Sequence, residues 1–90
     1  MHILQTTSFR KTVKKLHKNQ KADLDKTVKK IVNTPDIGEN KVGDLAGVKV
    51  YKFKMDQQLT LLAYTYDKDV ITLTLLAFAS HESLYKDLKQ

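Results

Sequence analysis

Four side chains in the second half of the chain, Lys52, Lys54, His81 and Tyr85, carry groups that could handle an anion. The two lysines alternate with Tyr51, Phe53 and Met55 in the run Val48-Lys-Val-Tyr-Lys-Phe-Lys-Met55. Successive side chains of a strand point to opposite faces, so the bulky residues share one face and the lysines the other. A lysine pair supplies positive potential, and a desolvated lysine can act as a base. A histidine titrates near neutral pH and can deliver a proton. Tyr85 follows His81 by four residues, on the same helical face if a helix starts at Ser80. Its ring can stack on a base, or its hydroxyl can orient a phosphate. These groups suit attack of a ribose 2′-OH on the adjacent phosphate, which asks for a base, cations for the phosphorane charge and an acid for the leaving 5′ oxygen. Each residue also has a plainer reading. Alternating lysines protect a solvated edge strand from pairing. His81 can simply mark a helix start beside Ser80, and Tyr85 can pack a last helix on the sheet together with Leu84 and Leu88.

The elements that must position these residues follow from pattern. Beyond the lysine-bearing run, Leu59 to Tyr66 and Val70 to Ala79 read as strands, and Ser80 to Tyr85 as a short helix. Asp56-Gln57-Gln58 and Asp67-Lys68-Asp69 are polar breaks suited to hairpin turns, which makes the last three strands antiparallel. In the final strand Ile71, Leu73, Leu75 and Ala77 fall on one face by simple alternation, and Val70, Thr72, Thr74 and Leu76 on the other. At the N-terminus, His2 to Gln5 reads as a further strand of the same sheet. Thr7 or Ser8 caps a first helix whose apolar stripe is Phe9, Val13 and Leu16. A break at Asn19-Gln20 leads to a second helix with the stripe Leu24, Val28, Ile31 and Val32, the pair forming a hairpin. Pro35 ends that helix. Asp36 to Gly47, which holds all three glycines, reads as a long loop, with Leu45 as its anchor to the core. The expected order is strand, helix, helix, three strands, helix: a single small α+β domain over residues 1–90, with the N-terminal strand and helical hairpin packed on an antiparallel sheet.

Size and composition agree with one domain. A 90-residue chain, 41% hydrophobic, can build one modest core and no second one. The chain contains no cysteine, which removes disulfides and thiolate metal sites. No apolar run reaches the roughly 18 residues of a membrane span, and Met1-His-Ile-Leu-Gln lacks the signal-peptide pattern, so a cytoplasmic protein without membrane contact is expected. The net charge of +6 is concentrated. Arg10 to Lys30 holds nine basic residues against Asp23 and Asp25, whereas the remainder is nearly balanced. That asymmetry points to a polyanionic partner, nucleic acid or an acidic protein segment. Glycines at 38, 43 and 47 fit no phosphate loop, and histidines at 2, 17 and 81 have no metal-ligand spacing. No cofactor is called for.

The order of these features resembles the RelE/ParE superfamily of toxins from type II toxin–antitoxin systems, along nearly the full chain. The resemblance rests on the basic helical hairpin, the loop Asn40-Lys-Val-Gly-Asp-Leu-Ala-Gly47, the strand Val50-Tyr-Lys-Phe-Lys54 and the closing Ala79-Ser-His-Glu-Ser-Leu-Tyr-Lys-Asp-Leu88. The loop and strand look most like the RelE branch. That likeness implies a toxin that cuts mRNA at the ribosomal A site without a metal, with Lys52, Lys54, His81 and Tyr85 as site residues. It also implies a cognate antitoxin that blocks the site. One departure stands out: the branch commonly carries an arginine on the next strand, where this chain reads Leu59-Thr-Leu-Leu62, and its only arginine is Arg10. Two other readings remain. One is a ParE-like inhibitor of DNA gyrase without nuclease activity. The other is a non-catalytic RNA- or protein-binding module.

Overall fold

Alternation along β3 (Lys49–Met55) divides the structure into layers. The structure, a computed structural model, describes residues 1–88, with the side chains of His81, Glu82 and Asp87 outside the described part. A five-stranded sheet runs in the order β1 (His2–Gln5), β5 (Thr72–Ala79), β4 (Gln58–Asp67), β3, β2 (Glu39–Asn40). All neighbours are antiparallel except β1, which pairs parallel with β5. Tyr51, Phe53 and Met55 face α1 (Thr7–Lys14) and α2 (Lys18–Asn33), where they flank a core of Phe9, Leu24, Ile31, Leu62, Tyr64, Leu73, Leu75 and Phe78. α1 lies against β5 and α2 against β3. On the opposite face Val50, Leu61 and Ala63 form a smaller cluster with Leu84 of α3 (His81–Leu88). The α+β architecture with helices 1 and 2 on one face is as the sequence predicts. No helix among the described residues is long and apolar enough to cross a membrane.

Several local expectations are corrected. The N-cap of α1 is Thr6, not Thr7 or Ser8: its hydroxyl accepts the Phe9 amide at 3.1 Å. The same hydroxyl donates to the Leu76 carbonyl at 2.6 Å, so one side chain both starts a helix and ties it to the last strand. The helix break falls at Lys15 to His17 rather than Asn19-Gln20, because Gln20 turns back to accept the His17 amide at 2.9 Å and thereby begins α2. β5 starts at Thr72, with Ile71 in the turn at φ 48°. Simple alternation along β5 also fails. Ala63 pairs with Ala77 but Tyr64 with Leu75, so Leu76 is the extra residue of a β-bulge. Beyond the bulge the faces exchange: Phe78 joins Leu73 and Leu75 in the larger core, and Ala77 turns to the α3 side.

The long loop is more ordered than its composition suggests. It contains single 3-10 turns at Pro35–Ile37 and Gly43–Leu45 and the short strand β2, with Leu45 half-buried. Its first part is pinned by Tyr64, which is fully buried; the Gly38 amide donates to the Tyr64 hydroxyl at 2.9 Å, and the hydroxyl donates to the Pro35 carbonyl at 2.7 Å. Burial of the ring pushes the Tyr64 hydroxyl above the usual tyrosine range. The β3–β4 turn, Asp56-Gln57, has φ of 50° and 70°, the paired positive values of a tight hairpin turn. Asp23 of α2 accepts the Asp56 amide at 2.8 Å and holds that turn to the helix layer.

Candidate active site

β3 sends Lys52 and Lys54 to the face that α3 only partly covers, and both are exposed. Their cross-strand partners on β4 are Leu61 and Leu59. Leu61 is buried under α3, while Leu59 is 57% exposed, so the helix stops short of the lysine end of the face. Leu61 pairs on its other side with Ala79, the last residue of β5. Lys52, Leu61 and Ala79 therefore form one row across three strands, which puts Lys52 two strand spacings, about 10 Å, from the chain as it enters α3. Among the described residues no carboxylate pairs with Lys52 or Lys54. Lys49, at the start of the same strand, differs in both respects. It pairs with Asp36 at 3.6 Å, and its ammonium donates to Asn40 Oδ1 at 2.6 Å.

α3 carries the other two candidates, and it brings Tyr85 to this face. Ser80 precedes the helix, its carbonyl accepting the Leu84 amide at 2.9 Å and its hydroxyl lying 3.2 Å from that of Ser83. His81 is the first helical residue; its side chain lies outside the described residues. Leu84 is fully buried and anchors the helix. Tyr85, half-buried, packs against the cluster of Val50, Leu61, Ala63 and Leu84. Lys52, Lys54 and Tyr85 thus share one sheet face, with the start of α3 at its border. Arg10 lies on α1, on the other side of the sheet. The site face of β4 carries Leu59 and Leu61, so no guanidinium enters it from either element.

One further cation reaches this face. Lys41 follows β2, and its ammonium lies 5.3 Å from the centre of the Tyr85 ring and 3.7 Å from Glu39 Oε2. Hydrogen bonding with the Tyr85 hydroxyl is the main cause that raises Lys41 above the ordinary lysine range, against the opposing effect of burial. Its backbone is fixed as well. The Lys41 amide donates to the Val48 carbonyl at 3.0 Å and closes the loop between them. Gly43 at φ 69° and Gly47 at φ 90° supply the left-handed turns that let the loop return. In the sequence Lys41 falls inside the loop motif Asn40 to Gly47 with no pattern that assigns it a role. Its position before two glycines, between a strand and the lysine strand, is the only local signal.

Solved structures with this fold carry low sequence identity. The intact RelBE toxin–antitoxin complex of E. coli aligns at TM-score 0.69 and 18% identity, covering 87% of this chain and 93% of that one. A mutant of the E. coli toxin RelE in the free state aligns at TM-score 0.72 and 18% identity, over 97% and 92% of the two chains. The toxin–antitoxin complex RelBE2 from Mycobacterium tuberculosis aligns at 0.66 and 21%, over 86% and 93%. Among curated proteins, no sequence matches the chain. A family model, described as the ParE-like toxin of type II bacterial toxin–antitoxin systems, matches residues 3–89. With nearly every residue inside that match, the chain belongs to the ParE-like toxin family of type II toxin–antitoxin systems.

Proposed function

We propose that this toxin inhibits translation by cutting mRNA on the ribosome, using its own side chains as base, charge stabiliser and acid. The observation that carries the reading is the face itself: Lys52 and Lys54 are exposed and held in strand register beside the entry to α3, with Tyr85 on the same surface. One lysine, desolvated by bound RNA, takes the 2′-OH proton. The other stabilises the phosphorane oxygens. His81 protonates the leaving 5′ oxygen, and Tyr85 contacts the scissile nucleotide. The ribosome and its mRNA are thus the proposed targets in the cytoplasm. A small antitoxin is the proposed cognate partner, since solved structures sharing the fold include toxin–antitoxin complexes. The basic run from Arg10 to Lys30 supplies a positive surface for an acidic segment of it.

The second reading, a gyrase inhibitor, is favoured by one observation: the family model that matches is named for ParE. Single-turnover mRNA cleavage on programmed ribosomes, run beside a gyrase supercoiling assay, separates the two. Cleavage by the wild type that collapses in the Lys52→Ala/Lys54→Ala double variant is the expected result. Intact mRNA with blocked supercoiling would replace the nuclease reading by the gyrase one.

A further inference from the structure

We propose that Lys41 is a positioning residue that orients the Tyr85 hydroxyl to donate a hydrogen bond to an RNA phosphate. The inference rests on the nuclease reading and deepens it. An ammonium has three donors and no acceptor. Where Lys41 hydrogen-bonds Tyr85, the phenol oxygen must therefore receive, and its own proton points away from Lys41. Without that neighbour the hydroxyl could turn either way, and some of its orientations would present a lone pair to a phosphate. The ammonium also lies over the Tyr85 ring, 5.3 Å from its centre, so the same cation holds both the ring and its hydroxyl.

Lys41 is built for such a role. Its backbone is locked by the hydrogen bond to Val48 on the lysine-bearing side of the fold. Tyr85 is held from below by Leu84, Val50 and Ala63, so the pair joins two separately anchored elements. Glu39, 3.7 Å away, faces the ammonium from β2 and keeps it charged. The pair also brings positive charge to a face where β4 contributes the apolar residues Leu59, Leu61 and Ala63.

A double-mutant cycle tests this. Lys41→Met removes the donor at similar length, and Tyr85→Phe removes the hydroxyl. Single-turnover cleavage by either variant should fall about 10- to 100-fold, the scale of one hydrogen bond to a charged group, with ribosome binding retained. The double variant should be no slower than Tyr85→Phe alone, and Lys41→Arg should keep most of the rate. If Lys41→Met slows cleavage equally with and without the hydroxyl, or not at all, the proposal is wrong. Lysine side-chain NMR on the free toxin gives a separate readout. The Lys41 ammonium should titrate above the ordinary lysine range in wild type and fall back towards it in Tyr85→Phe. A Lys41 titration unmoved by Tyr85→Phe refutes the pairing itself. Wild-type toxin that fails to cleave while the titration does move retires the nuclease reading and the phosphate role with it, and leaves the pairing standing.

Discussion

Removing a single oxygen probes the joint between the loop and the sheet. In Tyr64→Phe the ring still fills its place in the larger core, but two hydrogen bonds disappear, to the Gly38 amide at 2.9 Å and the Pro35 carbonyl at 2.7 Å. Gly38 is buried, so its amide has no water to replace the lost acceptor. A buried donor left without a partner costs about 1–3 kcal/mol. Near 2 kcal/mol, a domain of this size should melt roughly 8–16 °C lower. The effect also depends on pH in a defined direction. Burial raises the Tyr64 hydroxyl above its unfolded value, so between the two the native state keeps a proton that the unfolded chain has released. Wild-type stability should therefore fall as pH rises past about 10, the unfolded tyrosine value. The Tyr64→Phe variant lacks that contribution, and the gap between the two proteins should narrow there. Thermal and urea denaturation at pH 7 and pH 10.5 (conditions chosen about the tyrosine reference) provide the measurement. A variant melting within a couple of degrees of wild type at neutral pH would refute the account of this joint.

Other substitutions address neighbouring claims. Gly38→Ala would place a methyl 2.6 Å from the Tyr64 hydroxyl and 2.9 Å from Cε1; it should cost about 1–3 kcal/mol by overpacking, and less in the Tyr64→Phe background, as read by urea midpoints. Thr6→Val deletes both the cap of α1 and the bond to the Leu76 carbonyl; a loss of about 1–2 kcal/mol is expected, with Thr6→Ser near wild type in the same denaturation series. His81→Ala should slow mRNA cleavage on programmed ribosomes about 10²–10⁴-fold, the usual contribution of a general acid, while ribosome binding persists. Full activity in that variant would remove His81 from the mechanism.

Periodicity made the layers legible, and whatever was not periodic escaped. The alternation of Tyr51, Phe53 and Met55 with Lys52 and Lys54 placed each residue on its observed face, because a strand has only two faces to choose between. The stripes of Phe9 and Val13, and of Leu24, Val28 and Ile31, likewise matched the helices that cover the larger core. Three consecutive hydroxyl residues, Thr6, Thr7 and Ser8, hid which one caps α1; the choice is settled by the distant Leu76 carbonyl. The bulge at Leu76 was invisible because Leu75, Leu76 and Ala77 are apolar on both sides of the register change. Of the candidate site, the shared face of the lysines was readable. The approach of Lys41 to Tyr85 was not, since it joins a loop to a helix far along the chain and leaves no local pattern.

The parallel pairing of β1 with β5 carries a consequence for the order of synthesis. The first residues of the chain find their sheet partners only among Thr72 to Leu75, and Phe9 meets the ring of Phe78 at 5.1 Å. Contacts of such long sequence separation form late, because a large loop must close before they can reward it. A nascent chain that has not yet extruded its last strand has no place to dock its first one, however well its middle hairpin has formed. The toxin's fold therefore closes only once the residues through β5 have left the ribosome that makes them.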